Sequence, residues 1–480
     1  MFALLLAAFV SPCLAADPAD VYQKHCASCH GASRTGGMGP VLLPESLSRL
    51  KPADAEKVIR EGRAATQMPG FADRLDDATI AALSGYIYQP PSTPPAWSLE
   101  DIRSSHLALE DQAKLPSSPR FKANLDNLFI VVELGDHHAT LLDGDTFEPI
   151  HRFPTRYALH GGPKYSPDGR YVYFASRDGW ISKFDIYNLK MVAEVRAALN
   201  TRNLAVSFDG KYAIAANYLP QNLVLLDADT LKPIRVLDTG SQVSAVYTAP
   251  PRNSFIAAMK DLKEVWEIPY DGSFEVRKIA TSDYLDDFFF DQSYAHLVGA
   301  SRNGETGQVL ALSSGKTVAE VPLGGMPHLG SGISFDYQGK PVLATPHLNK
   351  GKVSVIDMQT WQVIKQIDTL GPGFFMRSHD ASPYAWVDVF FGPNRDAVHV
   401  IDKATLTIRE TLRPAPGKTA AHVEFTQDGR FALLSIWDDD GALVVYDSHT
   451  LQEVKRIPMK KPSGKYNVYN KTRYQRGTSH

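Results

Sequence analysis

Ser166-Pro167-Asp168-Gly169-Arg170-Tyr171, Ser207-Phe208-Asp209-Gly210-Lys211-Tyr212 and Thr426-Gln427-Asp428-Gly429-Arg430-Phe431 are copies of one pattern: a turn signal, a basic residue, then an aromatic that opens an apolar run. Matching closures follow at Leu226-Asp227-Ala228-Asp229-Thr230-Leu231, Val400-Ile401-Asp402-Lys403-Ala404-Thr405-Leu406 and Val445-Tyr446-Asp447-Ser448-His449-Thr450-Leu451. Alternating β-branched and aromatic residues between such turns mark short antiparallel strands. The repeat unit reads as a turn followed by three strands. A period of about 40 to 45 residues is that of propeller blades, and from residue 124 onward it predicts about eight of them. The copies begin near 124, 166, 207, 250, 289, 334, 381 and 426. A propeller leaves a central channel, so ligands are expected over its axis on blade-connecting loops.

The rest of the 480-residue chain frames this wheel. Lys plus Arg number 50 against 53 Asp plus Glu, and the net charge of −3 gives no warrant for a nucleic-acid or membrane-surface partner. With 3 Cys the chain is no disulfide scaffold. Met1 to Ala16 reads as a secretory leader with a short apolar run, although no basic residues precede that run. Cleavage would discard Cys13 and deliver the protein to the periplasm. No later stretch is apolar for the ~20 residues a membrane helix needs, so no membrane span is expected.

Cys26-Ala27-Ser28-Cys29-His30 is the C-x-x-C-H pattern of covalent haem c attachment, in which two thiols take thioether bonds and the adjacent imidazole turns onto the iron. A zinc site has no further cysteines to draw on. Met68, in Gln67-Met68-Pro69-Gly70-Phe71, is the expected second axial ligand, with Met38 competing. His/Met ligation leaves no open position, so this single haem is expected to transfer electrons only. Residues 17–90 thus resemble a small all-α class I cytochrome c domain. Pro90-Pro91-Ser92-Thr93-Pro94-Pro95 ends its helical pattern, 91–123 is expected as a linker, and 124–480 as the all-β eight-bladed propeller.

A cytochrome c domain joined to such a propeller resembles the cytochrome cd1 family, whose propeller binds haem d1, a tetrapyrrole of denitrification. The stretches that carry the resemblance are Tyr157-Ala158-Leu159-His160, Ser176-Arg177-Asp178-Gly179, Ala215-Ala216-Asn217-Tyr218, Ala344-Thr345-Pro346-His347-Leu348 and Pro462-Ser463-Gly464-Lys465-Tyr466-Asn467-Val468-Tyr469-Asn470. The resemblance implies that His160 is the proximal ligand of the d1 iron. The carboxylates of the macrocycle call for cations, and Arg156, Arg177 and Arg202 are the candidates, with Tyr218 and Lys465 as further pocket residues. Nitrite-reducing members place two histidines over this iron. Here the corresponding stretches read Tyr284-Leu285-Asp286-Asp287-Phe288 and Ser334-Phe335-Asp336-Tyr337-Gln338, and neither offers a histidine.

The resemblance therefore implies the biosynthetic branch of the family. Its members oxidise a propionate of dihydro-haem d1 to acrylate, which makes the tetrapyrrole the substrate. Oxidising a CH–CH bond needs an electron sink, supplied by the d1 iron and haem c, and a base, for which a neutral imidazole is suited. His422, in Ala421-His422-Val423-Glu424-Phe425, is the expected base. His328 is the expected distal iron ligand, with His347 and His379 as alternatives, while His137, His138, His296, His449 and His480 read as surface or turn residues. The partners expected are an external electron acceptor and transient contacts with the cd1 nitrite reductase and a d1-assembly protein. The competing functions are a nitrite reductase with an altered distal pocket and a non-catalytic d1 carrier.

Overall fold

The computed structural model describes residues 17–37, 39–47, 50–62 and 68–474. The leader with Cys13, Met38 and His480 lie outside the described residues. Among the described residues no helix is long and apolar enough to cross a membrane. The chain divides into two compact units, one ending at Pro94 and the other beginning at Pro95.

The N-terminal unit is helical: Pro18–His25, Ala27–His30, Pro44–Leu47, Pro52–Glu61 and Asp77–Ile87. Asp17 and Asp76 start the first and last of these by accepting backbone N–H bonds from Ala19 and Thr79, which satisfies donors that a helix start leaves orphaned. Tyr22, Ile59, Phe71, Ile80, Leu83 and Ile87 form its core, and Cys26 and Met68 pack against that core from its edge.

The second unit is a ring of eight antiparallel sheets. The turns quoted above explain its local geometry. Ser166 Oγ donates to Asp168 and accepts from the Tyr171 N–H at 2.9 Å, and the bonds recur at Ser207 and Thr426. Gly169, Gly210 and Gly429 supply the positive φ values of 74°, 72° and 71° that the turn demands.

Each blade has four strands, not three, and begins one strand before the turn. Blade two runs Lys164–Tyr165, Tyr171–Ala175, Trp180–Asp185 and Lys190–Arg196; blade three runs Asn200–Val206, Tyr212–Leu219, Asn222–Asp227 and Pro233–Asp238. The Asp-x-x-Thr closures are hairpins between third and fourth strands. In them the Asp227, Asp402 and Asp447 carboxylates accept from the Thr230, Thr405 and Thr450 N–H groups. The fourth strand faces solvent: Lys316–Pro322 is exposed at most positions, whereas Leu128–Glu133 is buried throughout. Inner strands pack between neighbouring blades and so lose the polar–apolar alternation of a half-exposed sheet.

Blade one is closed by the far end of the chain. Pro462–Asn467 pairs with Leu128–Glu133, setting Lys465 opposite Val131 and Tyr466 opposite Ile130, and this abolishes the open edge. Much of the expected linker belongs to the wheel. From Pro95 on it forms the capped helix Leu99–Ser104 and the strand Leu107–Ala108, which adds a fifth strand to blade two. Trp97 Nε1 donates to the Arg196 carbonyl at 2.8 Å.

Antiparallel order gives the ring two distinct ends. Blade-to-blade connections and second-to-third-strand hairpins share one end; the Asp-Gly turns lie at the other.

Candidate functional site

In the N-terminal unit, Ala27–His30 is a single helical turn that presents Cys26, Cys29 and His30 together. Gly31 follows at φ 79°, and a Cβ there would stand 2.8 Å from the Gly36 carbonyl oxygen, so only glycine turns the chain out of the motif. His30 is buried, and its Nδ1 donates to the Pro40 carbonyl at 2.8 Å. That fixes the tautomer and leaves Nε2 as the metal-facing nitrogen. Burial outweighs this bond and lowers the imidazole pKa, which keeps it neutral and able to ligate. Both thiols are free, and burial with the neighbouring Cys29 pushes the Cys26 thiol up to about 11. Thiols, imidazole and the half-buried Met68 thioether are a donor set that fits a c-type haem.

In the propeller, His160 lies in the connection from blade one to blade two, at the connection end of the channel. Gly161 follows at φ 82°, where a Cβ would stand 2.5 Å from Asn203 Oδ1. His160 Nδ1 donates to the Arg202 carbonyl at 2.7 Å, while Arg202 Nη1 reaches its Nε2 at 2.7 Å. The nitrogen that an iron would take is thus held by a guanidinium, which must withdraw for a metal to bind. Burial opposes the Arg202 charge, but Tyr218, Asp287 and Tyr247 outweigh it and raise the pKa.

His328 is built the same way. It sits in the connection from blade five, whose inner strand is Asp287–Phe290, to blade six, which begins at Ile333. Its Nδ1 donates to the Phe374 carbonyl at 2.6 Å, its ring centroid is 4.2 Å from that of Phe374, and its Nε2 lies 3.9 Å from Asp287 Oδ2. Burial lowers its pKa against the pull of Asp287, and Arg202 and Arg377 add to the lowering. Arg202 thus acts on both His160 and His328.

The alternatives separate by position. His347 is completely buried, with Nε2 bonded to Ser354 Oγ at 2.9 Å, and its burial together with Lys352 and Lys350 drives it down to about 3. His379 sits in the first turn of blade seven, at the opposite end, where it bonds the Gln427 carbonyl. His347 is bridged to Pro327 beside His328, but its ring is turned into the blade onto Ser354, and His379 is at the other end of the wheel.

His422 lies on the inner strand of blade eight, Ala420–Phe425, at a bulge between Ala421 and Val423 and with φ 53°. It is 1% exposed between the rings of Phe375 at 4.8 Å and Tyr466 at 5.1 Å, and neither ring nitrogen has a hydrogen-bond partner. Burial, then Lys465, Arg377 and Lys471, hold its pKa well below the ordinary histidine value. The imidazole is therefore neutral, and it accepts protons without being protonated beforehand.

Two expectations change, those for Arg156 and for the missing histidines, while that for Arg177 does not. Arg156 does not face the channel mouth as a spare cation: it forms a two-pronged ion pair with Glu194 and lies 3.8 Å over the Trp180 ring. Arg177 is half-buried, its backbone N–H bonded to the Ala158 carbonyl in the loop that carries His160. The stretch Ser334–Gln338 runs down the inner strand of blade six to the far turn, so a histidine missing there says nothing about the site. Asp286 is half-buried with Arg302 at 3.6 Å, and it is the adjacent Asp287 that enters the site, accepting from Tyr247 and the Gly330 N–H.

Sequence reasoning missed most of the axial charges. Arg377 (2% exposed) and Glu424 (0%) lie 3.8 Å apart. Lys465 Nζ donates to the His422 carbonyl and, at 2.7 Å, to Ser435 Oγ. Burial raises Asp388 to about 6, although it accepts from the Phe374, Phe375 and His422 N–H groups. Arg377 and Glu424 share one signal with Lys164, Arg202 and Asp287, an ionisable residue within a few positions before a blade's first turn.

The profile of the cytochrome D1 heme domain matches residues 123–471, and that of the cbb3-type cytochrome c oxidase subunit III matches 14–87. The chain is 61% identical to the dihydro-heme d1 dehydrogenase of Pseudomonas aeruginosa, over 96% of this chain and 95% of that one. It is 27% identical to the nitrite reductase of Stutzerimonas stutzeri, over 94% and 92%. The solved structure of dihydro-heme d1 dehydrogenase NirN in complex with DHE superposes with a TM-score of 0.91 at 61% identity, covering 95% of this chain and 100% of that one. An eight-bladed wheel with two backbone-anchored histidines at its connection end, matched along its whole length by that profile, makes this chain a member of the cytochrome D1 heme domain family.

Proposed function

We propose that the chain is a periplasmic dihydro-haem d1 dehydrogenase, converting a propionate of its tetrapyrrole substrate to acrylate by loss of two protons and two electrons. The observation that carries the reading is similarity at 61% identity along nearly the entire chain to a protein of that name, including a structure solved with DHE. Cys26 and Cys29 would hold haem c covalently, with His30 and Met68 on its iron. That haem, when bound, supplies a one-electron acceptor.

This chain's own residues do the rest. His160 and His328 present Nε2 to the substrate iron, each oriented by an Nδ1–H bond to a backbone carbonyl. Arg202, freed from His160 when iron takes that nitrogen, is placed to meet a substrate carboxylate, with Tyr218 as its neighbour. Phe375 and Tyr466 exclude water from His422. In that dry setting the neutral His422 removes a proton from the propionate carbon.

The test is incubation of haem c-loaded protein with dihydro-haem d1 and a one-electron acceptor. Loss of two hydrogens by mass and a red shift of the tetrapyrrole band are expected. Binding without conversion refutes the reading in favour of a carrier, and turnover of nitrite with reduced cytochrome refutes it in favour of a reductase.

A further inference from the structure

A cavity of about 350 Å³ lies at the far end of the propeller channel, between the turn at Asp291–Tyr294 and the C-terminal helix Val468–Thr472. Lys164, Tyr247, Thr248, Asn470, Lys471 and Tyr474 are among the residues that line it. At roughly 30 Å³ per molecule it has room for several waters. Its wall also asks for them: Asn470 Oδ1 is buried without a partner, and a buried polar atom of this kind is ordinarily satisfied by ordered water. Tyr474, 37% exposed, brings the cavity to the surface.

Between this cavity and His422 stands a fully buried carboxylate. Glu424 Oε1 accepts from Asn470 Nδ2 at 3.1 Å, and Asn470 is itself part of the cavity wall. Glu424 Oε2 lies 3.8 Å from Arg377 Nε. Lys465, which bonds the His422 carbonyl, is held down by burial and Arg377 against the pull of Glu424; Lys471 in the cavity wall is likewise held well below the ordinary lysine range by burial and Arg377. Lys465, Arg377 and Lys471 and the rings of Phe375 and Tyr466 surround the His422 imidazole, with Asp388 on its backbone N–H, so a proton placed on it is disfavoured and has no direct contact with solvent.

We propose that the far cavity is the outlet for the protons of the reaction, and that Glu424, with Asn470 and Lys471, passes them from the His422 chamber to solvent at the end of the wheel opposite the tetrapyrrole. The inference rests on the dehydrogenase reading. Oxidation of CH2–CH2 to CH=CH releases two protons and two electrons. The electrons leave to the one-electron acceptor, and a single base can take both protons only if it is emptied between them. Glu424 touches neither substrate nor cofactor; it acts through His422.

The experiment compares haem c-loaded wild type and Glu424→Gln with dihydro-haem d1. Expected are tetrapyrrole affinity within about twofold and conversion slower by about tenfold or more. The solvent deuterium isotope effect should rise, while the effect of deuterium on the substrate propionate falls towards unity. Unchanged conversion overturns the outlet, and so does conversion lost together with binding. A crystal structure of the wild type gives a readout that needs no turnover: ordered water on Asn470 Oδ1 is expected, and a dry cavity overturns the proposal. Where Glu424→Gln does not fold, Lys471→Met takes its place, with conversion expected to fall by about threefold or more and an unchanged rate counting against the outlet. Wild type that binds without converting brings down the dehydrogenase reading and the outlet with it; a normal wild type beside an unaffected variant removes the outlet alone.

Discussion

Replacing His422 by alanine should cost little stability and most of the activity, and the structure gives the size of both effects. Truncating a buried ring packed between Phe375 and Tyr466 leaves a cavity, which costs about 2–4 kcal/mol for large-to-small changes of this kind. The same change removes two ring nitrogens that have no partner, each of which costs about 1–3 kcal/mol to leave buried. The two contributions are of similar size and opposite sign, so the net change should stay within about 2 kcal/mol. His422→Gly adds relief of the φ of 53°, worth about 1 kcal/mol over alanine. Loss of the base removes about 10²–10⁴ in rate, or about 2.7–5.5 kcal/mol of barrier. Urea midpoints for wild type, His422→Ala and His422→Gly, read beside single-turnover conversion, check this directly. Destabilisation of His422→Ala beyond about 3 kcal/mol would show that the ring is there for packing, and conversion near the wild-type rate would remove it from the chemistry.

His160→Ala should abolish the absorption bands of bound tetrapyrrole while those of haem c persist, since the imidazole is the iron-facing group and Arg202 alone offers no ligand; persistence of both sets of bands would remove His160 from the iron. His347 supplies a pH test of the opposite kind, because its pKa falls to about 3. The unfolded chain binds a proton below about 6.5 that the folded chain refuses, so stability is complete above that pH and drains away as pH falls towards 3. By pH 5 the loss is about 2 kcal/mol. His347→Gln does not titrate, so wild type should lose about 2 kcal/mol more than the variant between pH 7.5 and 5, with all other groups cancelling in the difference. An equal loss in both proteins refutes the structural role.

What the sequence disclosed is what local chemistry writes. The Cys26-to-His30 motif and the Asp-Gly turns are complete within a few residues, because thioether attachment and a positive φ each require particular side chains at fixed spacing. Blade phase is not local. The first strand of blade two is only Lys164–Tyr165, and its membership is decided by pairing with Tyr173 and Val172 across the turn. Arg156 and Arg202 look alike in sequence for the same reason. One meets Glu194, 38 positions away, and the other meets His160, 42 positions away, so what separates them is register around the ring.

The axial charges show the limit most sharply. Lys164, Arg202, Asp287, Arg377, Glu424 and Lys465 sit one by one in the inner strands of different blades, where each alone carries no sign of the others. Six blades converging on one axis turn those single residues into one low-dielectric array whose members shift one another. Arg377 lowers Lys164, Lys465 and His422, while Asp287 pulls Lys164 and Arg202 upward. Such an array has little to offer folding, since ionic groups buried off water cost about as much as their mutual attraction returns. A polyanionic substrate seated at one end, and protons that must leave by the other, give it a use that packing alone does not.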